Sequence, residues 1–355
     1  MSYKILAINP GSTSTKVAVF EDDKELFEET LRHTAEELEP FDSITDQYAF
    51  RKEVIENVLR ERHFELESLD GIVGRGGLFR PIPGGTYRVN EVMVEELKAA
   101  KYGEHASNLG GLIAFEMGKT LDKPAFIVDP VVVDELEPVA RLSGHPAFER
   151  RSVFHALNQK AMARRYAEEV GRPYGDLNLI VVHLGGGISV GAHHNGRIID
   201  VNDALSGEGP FSPERAGGLP SLQLAQLCFS GEKTFAEVKK MLLGHGGVMA
   251  YAECNDMRII EDKVQHGDEE ATLIQNAMAY QIGKEIGKCA TVLKGKVDAI
   301  IVTGGIAYNK HMIQLIEERV GWIADMVVYP GEEELLSLAL GGFRVLNGQE
   351  EAQKY

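Results

Sequence analysis

Three short loops in the sequence carry residue types that are suited to binding phosphate groups and a nucleoside. Residues 9–16 (NPGSTSTK) contain one glycine, four hydroxyl side chains and a lysine, which provide backbone amides, hydroxyls and a cation. Residues 183–189 (HLGGGIS) contain three consecutive glycines, which allow the backbone to approach a ligand closely. Residues 303–309 (TGGIAYN) place two glycines before a predicted helix, where a flat nucleoside has room against the backbone. The loops therefore predict a polyphosphate site with two phosphate-binding loops.

Each loop also has a purely structural interpretation. The first loop lacks the GxxxxGK[ST] pattern and precedes a predicted strand, so it is not a Walker A loop and is compatible with an ordinary polar hairpin turn. The pair Gly304-Gly305 equally suits a simple strand-to-helix turn. A plain β-bulge is the structural alternative for Gly185, Gly186 and Gly187. The phosphate interpretation is nevertheless strongest there, because glycines weaken a strand unless a close approach of ligand or backbone requires them.

Four further polar residues lie where predicted strands or loops end. Asp129 follows a buried strand, His155 lies in the segment RRSVFHA, Arg75 stands between glycines, and Arg215 lies in the loop FSPERAGG. Taken singly, they are compatible with a cap, a structural histidine and two surface guanidinium groups. Taken together, they are the groups that transfer of a phosphoryl group to an anion needs. Guanidinium groups bind carboxylate and phosphate, a histidine donates to developing charge, and a carboxylate binds Mg²⁺.

These residues lie at the ends of elements whose pattern occurs twice in the chain. Each block predicts a strand, a small-residue loop, a second strand, a turn and a third strand: residues 4–9, 16–20 and 25–31, then residues 179–184, 188–193 and 197–201. The Asn195-Gly196 turn is typical of a tight β-hairpin. The second block follows the first by almost half of the chain, which predicts a duplication with two similar α/β halves that face each other across a cleft. A chance likeness of two hairpins is the alternative.

Helices alternate with strands after each block. Amphipathic periodicity predicts helices over residues 43–62, 152–170, 268–294, 308–320 and 332–346. Thr234 and Glu237 have the spacing of a capping box at the start of another helix. Buried strands are predicted over residues 71–74, 125–129, 298–303 and 323–329. The fold class is therefore α/β.

Composition and charge exclude several classes of protein. The 355-residue chain carries 37 Lys and Arg against 54 Asp and Glu, a formal net charge of −17. Nucleic acids and anionic membranes bind basic surfaces, so neither is expected as a partner. Cys228, Cys254 and Cys289 lie far apart, which excludes a CxxC zinc site and indicates a reducing compartment. The first residues show no signal-peptide pattern, and no apolar run reaches about 18 residues, so we expect a cytoplasmic protein.

Seven ordered segments resemble the acetate and butyrate kinases, within the wider superfamily of sugar kinases, heat-shock ATPases and actin. They are INPGSTSTKVAVF, RRSVFHALN, VVHLGGGISVGA, PFSPERAGGLP, CNDMR, VDAIIVTGGIAYN and YPGEEELLSLALGG, and they extend over essentially the whole chain. The resemblance implies two duplicated ribonuclease-H-like (actin-like ATPase) domains with a nucleotide cleft between them. It also implies the domain bounds: residues 1–130 with 330–355 for the N-terminal acyl-kinase domain, and residues 131–329 for the C-terminal nucleotide-binding domain.

The resemblance further implies roles for individual residues. The positions that correspond to nucleotide-binding residues of the family are Asn9, Ser12, Ser14 and Lys16 in the first loop, His183, Gly185, Gly186 and Gly187 in the second, and Asp256, Met257, Arg258, Gly304, Gly305 and Ile306 around the adenosine. His155 and Arg215 correspond to residues that stabilise the transferring phosphoryl group, and Asp129 to an aspartate that acts with Mg²⁺. Glu333 or Glu334 corresponds to a metal-associated glutamate; the alternative is a merely negative first turn of the last helix.

Two departures from the acetate kinase pattern bear on the acid substrate. Arg75 occupies the place of a histidine, and we expect it to bind the carboxylate from this shifted position. Gly74 stands where acetate kinases have a valine that lines the methyl pocket. The missing side chain is expected to enlarge the acid pocket, with Phe154 as a second lining residue. A requirement of the backbone for glycine is the alternative explanation of Gly74.

The expected activity is reversible, in-line transfer of a phosphoryl group from ATP to a short-chain carboxylate, which converts butanoate to butanoyl phosphate and ADP. The expected cofactors are ATP or ADP and Mg²⁺. Acetate and 2-methylpropanoate remain alternative acids, and a nucleotide-dependent conformational switch with ATPase activity is a more distant alternative. The resemblance also implies a homo-oligomer, at least a dimer.

Overall fold

A computed structural model describes residues 2–355 and contains two mixed β-sheets with helices on their faces. The strands are β1 (Lys4–Pro10), β2 (Ser14–Glu21), β3 (Lys24–Arg32), β4 (Gly71–Arg75), β5 (Thr86–Arg88), β6 (Ala125–Val128), β7 (Asn178–Leu184), β8 (Ile188–His194), β9 (Arg197–Val201), β10 (Ala299–Gly304) and β11 (Met326–Pro330). The α-helices are α1 (Ala35–Leu38), α2 (Tyr48–Glu61), α3 (Glu91–Lys98), α4 (Asn108–Leu121), α5 (Pro138–Arg141), α6 (Ala156–Glu169), α7 (Ser221–Phe229), α8 (Phe235–Leu242), α9 (Val248–Ala252), α10 (Met257–Gln265), α11 (Glu269–Val292), α12 (Lys310–Val320) and α13 (Glu334–Leu346).

The chain divides into two units. The first contains the described residues up to Val133 together with Ala156–Asn158 and Glu333–Tyr355, and the second contains Asp134–His155 and Gln159–Glu332. Among the described residues, no helix combines the length and the apolar content that crossing a membrane requires.

The sheet of the first unit has the strand order β3-β2-β1-β4-β6-β5. Strands β1 to β3 form an antiparallel meander, β4 and β6 run parallel to β1, and β5 is an antiparallel edge strand. Alternate residues of β1 point to opposite faces: Leu6 and Ile8 pack with residues of α2, α3 and α4, whereas Ile5 and Ala7 pack with α13. The sheet is therefore buried on both faces, which explains the nearly continuous apolar sequence of β1.

The sheet of the second unit has the order β11-β10-β7-β8-β9. Strands β7 to β9 form a second antiparallel meander, and β10 and β11 run parallel to β7. One face packs against α11 and its neighbours, and the other packs against α6 through Met162 and Ala163. The predicted duplication is confirmed, because each sheet joins a three-stranded meander to parallel strands on the side of its first strand.

Local sequence signals account for two of the element boundaries. Asn195 and Gly196 both have positive φ (52° and 73°), as the predicted tight hairpin between β8 and β9 requires. The predicted capping box is present at α8, where the Thr234 hydroxyl accepts from the Glu237 amide and the Glu237 carboxylate accepts from the Thr234 amide. The helix predicted from residue 152 begins only at Ala156, and the predictions did not include α3, α4 or β5.

Helix α4 contradicts the role predicted for Gly74. A Cβ atom at Gly74 would lie 2.0 Å from the carbonyl oxygen of Gly110 on α4, and a Cβ at Gly110 would lie 2.3 Å from the carbonyl oxygen of Arg75. Strand β4 and helix α4 are thus in direct backbone contact through these two glycines. The missing side chain at Gly74 therefore leaves no space for an acid, because the Gly110 backbone fills it. Glycine is needed at position 74 because another backbone segment approaches it closely. A positive φ is not the reason, since Gly74 is not among the residues with positive φ.

Substitution of Gly74 by alanine is expected to lower the free energy of unfolding by about 3 kcal/mol, because a packed helix backbone must move to accept the methyl group. The matched control is Gly287→Ala on α11, where a Cβ atom would meet nothing within 4 Å. The control should raise stability by about 0.5–1 kcal/mol through helix propensity. Urea unfolding of both variants measures the difference. A stability of Gly74→Ala within about 0.5 kcal/mol of the parent, at the limit of surface substitutions, would contradict the packing described here.

Candidate active site

The first predicted phosphate loop connects β1 to β2 and is bonded to a buried arginine. Arg51, on α2, has no exposed surface. Its guanidinium donates hydrogen bonds to the carbonyl oxygens of Gly11 (2.7 Å), Ser12 (2.8 Å) and Ser14 (3.2 Å). Burial lowers the pKa of Arg51 to about 10, so the group is still a cation at neutral pH. The loop conformation is therefore fixed by a charged donor inside the unit.

These bonds determine where the loop amides point. In a planar trans peptide the N–H lies opposite the C=O, so carbonyls of Gly11 and Ser12 that face Arg51 turn the amides of Ser12 and Thr13 away from it. Neither amide has a hydrogen-bond acceptor within residues 2–355, and both residues are exposed. Adjacent outward-facing amides form an anion-binding concavity. The first loop therefore has donors available for a phosphate group.

Three of the predicted residues of the first unit contact one another. The Arg75 guanidinium lies 2.9 Å from one carboxylate oxygen of Glu334, at the start of α13, and donates to the Asn9 amide oxygen at 3.2 Å. The Asn9 side-chain nitrogen donates to the other Glu334 oxygen at 2.5 Å. Arg75 is about one-third exposed, so the guanidinium remains accessible to an anion. Lys16, the cation of the first loop, is exposed on β2, and Ser14 is half-buried.

Asp129 and Glu334, two of the residues predicted to act with magnesium, contact other protein groups in this structure. Asp129 is 1% exposed, and its carboxylate accepts from the Gly85 amide at 2.7 Å while its own amide donates to the Gly85 carbonyl. Glu334 is paired with Arg75, and Glu333 lies just before α13 with a φ of +43°. Within residues 2–355, no group of three or more His, Cys, Asp and Glu side chains is arranged to bind a metal ion. The residues present therefore do not fit a magnesium ion held by protein ligands alone.

In the second unit, two histidines lie beside the glycine-rich loop. The rings of His155 and His183 are stacked, with centroids 3.8 Å apart and planes inclined by 14°. His155 is the residue before α6, and its Nδ1 lies 2.9 Å from the Ser189 hydroxyl. His183 is 2% exposed in β7, and its Nε2 lies 3.6 Å from a Glu332 carboxylate oxygen. Two sequence motifs that are separate along the chain are thus brought into contact.

Arg215 completes this group. A Cβ atom at Gly187 would lie 1.9 Å from the Arg215 guanidinium, so this glycine makes room for the arginine. The guanidinium donates to the Ala204 carbonyl at 2.7 Å, and burial lowers its pKa against the opposing effect of the nearby carboxylates of Glu214 and Asp203. An arginine stays charged under such a shift. A cation is therefore fixed against the second loop.

The loop itself is held by a serine. The Ser212 hydroxyl donates to the Gly186 carbonyl at 2.6 Å and accepts from the Arg215 amide at 3.2 Å. A Cβ atom at Gly186 would meet nothing within 4 Å, whereas one at Gly185 would lie 2.8 Å from the His183 ring. Gly186 is thus open to a ligand, and Gly185 is required by the histidine.

The predicted nucleoside segment begins where β10 ends. Gly304 has a φ of +94°, and a Cβ atom there would lie 2.3 Å from the Leu184 carbonyl oxygen, so only glycine fits. A Cβ atom at Gly305 would meet nothing within 4 Å, whereas Ile306 is buried. The open side of Gly305 is consistent with a flat ligand at this point.

Around α10, the residues predicted to contact adenosine contact one another or the hydrophobic core. Asp256 caps α10 and pairs with Arg258, whose guanidinium is 2.6 Å away and holds the pKa of the carboxyl at about 2. The Arg258 side chain is otherwise exposed. Met257 is buried in the hydrophobic core of the second unit. Phe154, predicted to line the acid pocket, is buried next to His155 in the sequence.

Three residues that organise these groups were not predicted from the sequence: Arg51, Gln159 and Ser189. The burial of Arg51 could have been predicted, because this residue lies in the apolar stripe of α2 between Tyr48 and Ile55. A charged side chain in such a stripe is buried and must be paired. Gln159 directly follows the quoted histidine motif, and Ser189 is the last residue of the quoted glycine segment, but only the structure shows that their side chains meet.

Comparisons with known proteins extend the description to the whole chain. The profile of the Acetokinase family matches residues 146–326. The chain is 58% identical over 353 residues to butyrate kinase 1 of Clostridium acetobutylicum, which covers 99% of each chain. It is 57% identical over 355 residues to butyrate kinase 2 of the same organism, which covers 100% of each chain.

A solved structure supports the same relation at the level of the fold. The crystal structure of Porphyromonas gingivalis acetate kinase superposes with a TM-score of 0.80 at 19% sequence identity, over 98% of this chain and 100% of that one. The two-sheet α/β architecture predicted from the sequence is therefore that of acetate kinase. With near-complete coverage by relatives that are more than half identical, the chain belongs to the acetokinase family.

Proposed function

We propose that this protein transfers the γ-phosphoryl group of ATP reversibly to a short-chain carboxylate, with butanoate as the preferred acid. The observation that carries the proposal is the group formed by His155, His183, Arg215 and the glycine loop of the second unit, which combines a cation, an imidazole and exposed backbone around one point. Relatives named butyrate kinase that are 57–58% identical over the full length support butanoate in particular.

The chemistry needs positioning rather than a strong base. A carboxylate is already ionised at pH 7 and attacks the γ-phosphorus without losing a proton. In this proposal Arg75 binds the acid's carboxylate and exchanges its contact with Glu334 for the substrate. Arg215 and His155 donate hydrogen bonds to the oxygens of the transferring phosphoryl group, where negative charge is redistributed in the transition state. Within the second unit, hydrogen bonds to the Ser189 hydroxyl and the Ala204 carbonyl already hold the His155 and Arg215 side chains before substrate binds.

The metal ion of the reaction belongs to the substrate in this proposal. Mg²⁺ enters as MgATP and retains water and phosphate oxygens as ligands, as it commonly does in proteins. In this assignment the buried Asp129 carboxylate holds the backbone at Gly85, and Glu334 orients the Arg75 side chain. The outward-facing amides of Ser12 and Thr13 and the open Gly186 bind phosphate oxygens.

We also propose a cytoplasmic enzyme that forms at least a dimer. The three cysteines are unpaired in the structure, which suits a reducing compartment. Several large apolar side chains of α7, α8 and their surroundings are exposed, among them Leu222, Phe229 and Phe235. Burial of these side chains against a second subunit would remove their apolar surface from water, which supports the proposed dimer.

The preferred acid is tested by ADP release with straight-chain acids of two to six carbons and with 2-methylpropanoate. Butanoate has two more methylenes than acetate, each worth about 0.8 kcal/mol on burial, so kcat/KM for butanoate should be about tenfold higher. Hydroxylamine in the assay should trap the product as the acyl hydroxamate.

Two results of this assay would contradict the proposal. Equal or higher kcat/KM for acetate or 2-methylpropanoate would assign a different acid. ADP release that does not depend on any acid, with no hydroxamate, would instead favour a nucleotide-dependent switch with ATPase activity.

The role of Arg215 is tested by Arg215→Ala. Loss of a charged donor to the transferring group should lower kcat about 100- to 1,000-fold, because such contacts act mainly in the transition state. Arg165→Ala, which removes an exposed arginine of α6 that pairs with Glu169, is the matched control and should leave kcat unchanged. A folded Arg215→Ala variant with kcat close to that of the control would remove Arg215 from the mechanism.

A further inference from the structure

Behind His155, four side chains form a continuous series of hydrogen bonds through the second unit. The Nδ1 atom of His155 lies 2.9 Å from the Ser189 hydroxyl, which lies 2.9 Å from the side-chain nitrogen of Gln159. The Gln159 oxygen lies 3.1 Å from Nε2 of His193, and Nδ1 of His193 lies 2.8 Å from the Tyr174 hydroxyl. Gln159, Ser189 and His193 are each 0% exposed. We refer to these five residues as the buried network.

The orientation of the Gln159 amide fixes the direction of the bonds. Its nitrogen also donates to the backbone carbonyl of Ser189 at 3.2 Å, and a carbonyl oxygen only accepts. The Gln159 oxygen therefore faces His193, whose Nε2 must carry the proton. His193 Nδ1 then accepts the hydrogen of Tyr174. Burial is the main cause that holds the pKa of His193 well below its usual range, and the positive charges of Lys160 and Arg164 lower it further. The His193 ring is therefore neutral, as these hydrogen bonds require.

The hydrogen bonds of the Ser189 hydroxyl determine the tautomer of His155. The Ser189 hydroxyl oxygen accepts from Gln159, and its own hydrogen needs an acceptor. His155 Nδ1 is the other hydrogen-bond partner of that hydroxyl in the described part of the chain. When Nδ1 accepts, the proton of the neutral imidazole is on Nε2.

The backbone is adapted to this arrangement. Gly191 lies in the middle of β8, where a side chain would ordinarily strengthen the strand. A Cβ atom at Gly191 would lie 2.4 Å from the Gln159 side-chain oxygen and 3.3 Å from Nε2 of His193. The glycine therefore leaves the space in which these two side chains bond.

We propose that the buried network fixes His155 as its Nε2–H tautomer, which makes Ser189 and Gln159 positioning residues for the phosphoryl transfer. This inference rests on the proposed function for the use of that N–H, which donates to a phosphoryl oxygen from a ring held by Ser189 and by stacking on His183. The network moves no proton during the reaction. It sets the position and the direction of one donor before substrate binds.

The direct test is ¹⁵N NMR of histidine-labelled protein without substrate, at about pH 8, where an ordinary imidazole is neutral. The His155 signals are assigned from their absence in His155→Gln. An unprotonated Nδ1 with a protonated Nε2 is expected, and a protonated Nδ1 would overturn the proposal. This measurement needs no activity, so the tautomer is decided even if the proposed kinase reaction is not found.

The second test is Gln159→Leu, which removes the donor that directs the Ser189 hydroxyl. We expect kcat to fall about tenfold or more, because a misplaced catalytic group costs up to about 100-fold, while KM for ATP and butanoate stays within about twofold. The spectrum should also show His155 Nδ1 partly protonated. The matched control is Gln275→Leu, the same change at a buried glutamine of α11 whose amide has no hydrogen-bond partner within residues 2–355.

Kinetic constants and a His155 spectrum of Gln159→Leu equal to those of Gln275→Leu would overturn the proposal. If Gln159→Leu does not fold, the tautomer measured in the unaltered protein decides the question. Active protein with a protonated His155 Nδ1 would reject this inference alone. Inactive protein with the expected tautomer would reject the proposed function alone.

Discussion

A peptide group presents its carbonyl and its amide to opposite sides, and in this protein that constraint determines which donors face a ligand. The guanidinium of Arg51 binds the carbonyls of Gly11 and Ser12 from inside the first unit, so the amides of Ser12 and Thr13 face outward. The protein carries a formal net charge of −17, and its overall field does not attract a polyphosphate. Anion binding therefore depends on short-range donors whose direction is fixed from within.

In the second unit, hydrogen bonds from side chains fix the direction of the groups that face a ligand. Gln159 and Ser189 set the direction of His155, and Ser212 holds the Gly186 carbonyl. Glycines occur where a neighbouring group fills the space of a side chain, rather than only where the backbone has a positive φ. The groups that fill this space are the Gly110 backbone at Gly74, the Arg215 guanidinium at Gly187 and the Gln159 amide at Gly191. Such contacts explain why glycine-rich segments and catalytic candidates coincide.

Much of this fold was predictable from the sequence, since both meanders, the tight hairpin at Asn195 and the capping box at Thr234 have local signals. Helix α4 was not predictable, because its glycines lower the helix propensity of the segment. The need for Gly110 becomes clear only from its backbone contact with β4. The same long-range contact fills the space that the missing side chain at Gly74 was expected to leave for the acid. Motifs identified His155 and Arg215, but the partner of a buried polar group comes from a distant segment that no local pattern reveals.

Direct attack of a carboxylate oxygen on the γ-phosphorus of ATP is tested with butanoate labelled with ¹⁸O in both carboxylate positions. Hydroxylamine attacks the carbonyl carbon of the acyl phosphate, and the phosphate leaves with the bridging oxygen. We predict that each phosphate released in this way carries one ¹⁸O atom, detected by its isotope shift in ³¹P NMR. Unlabelled phosphate, formed together with ADP, would show that water is the acceptor and would contradict the account.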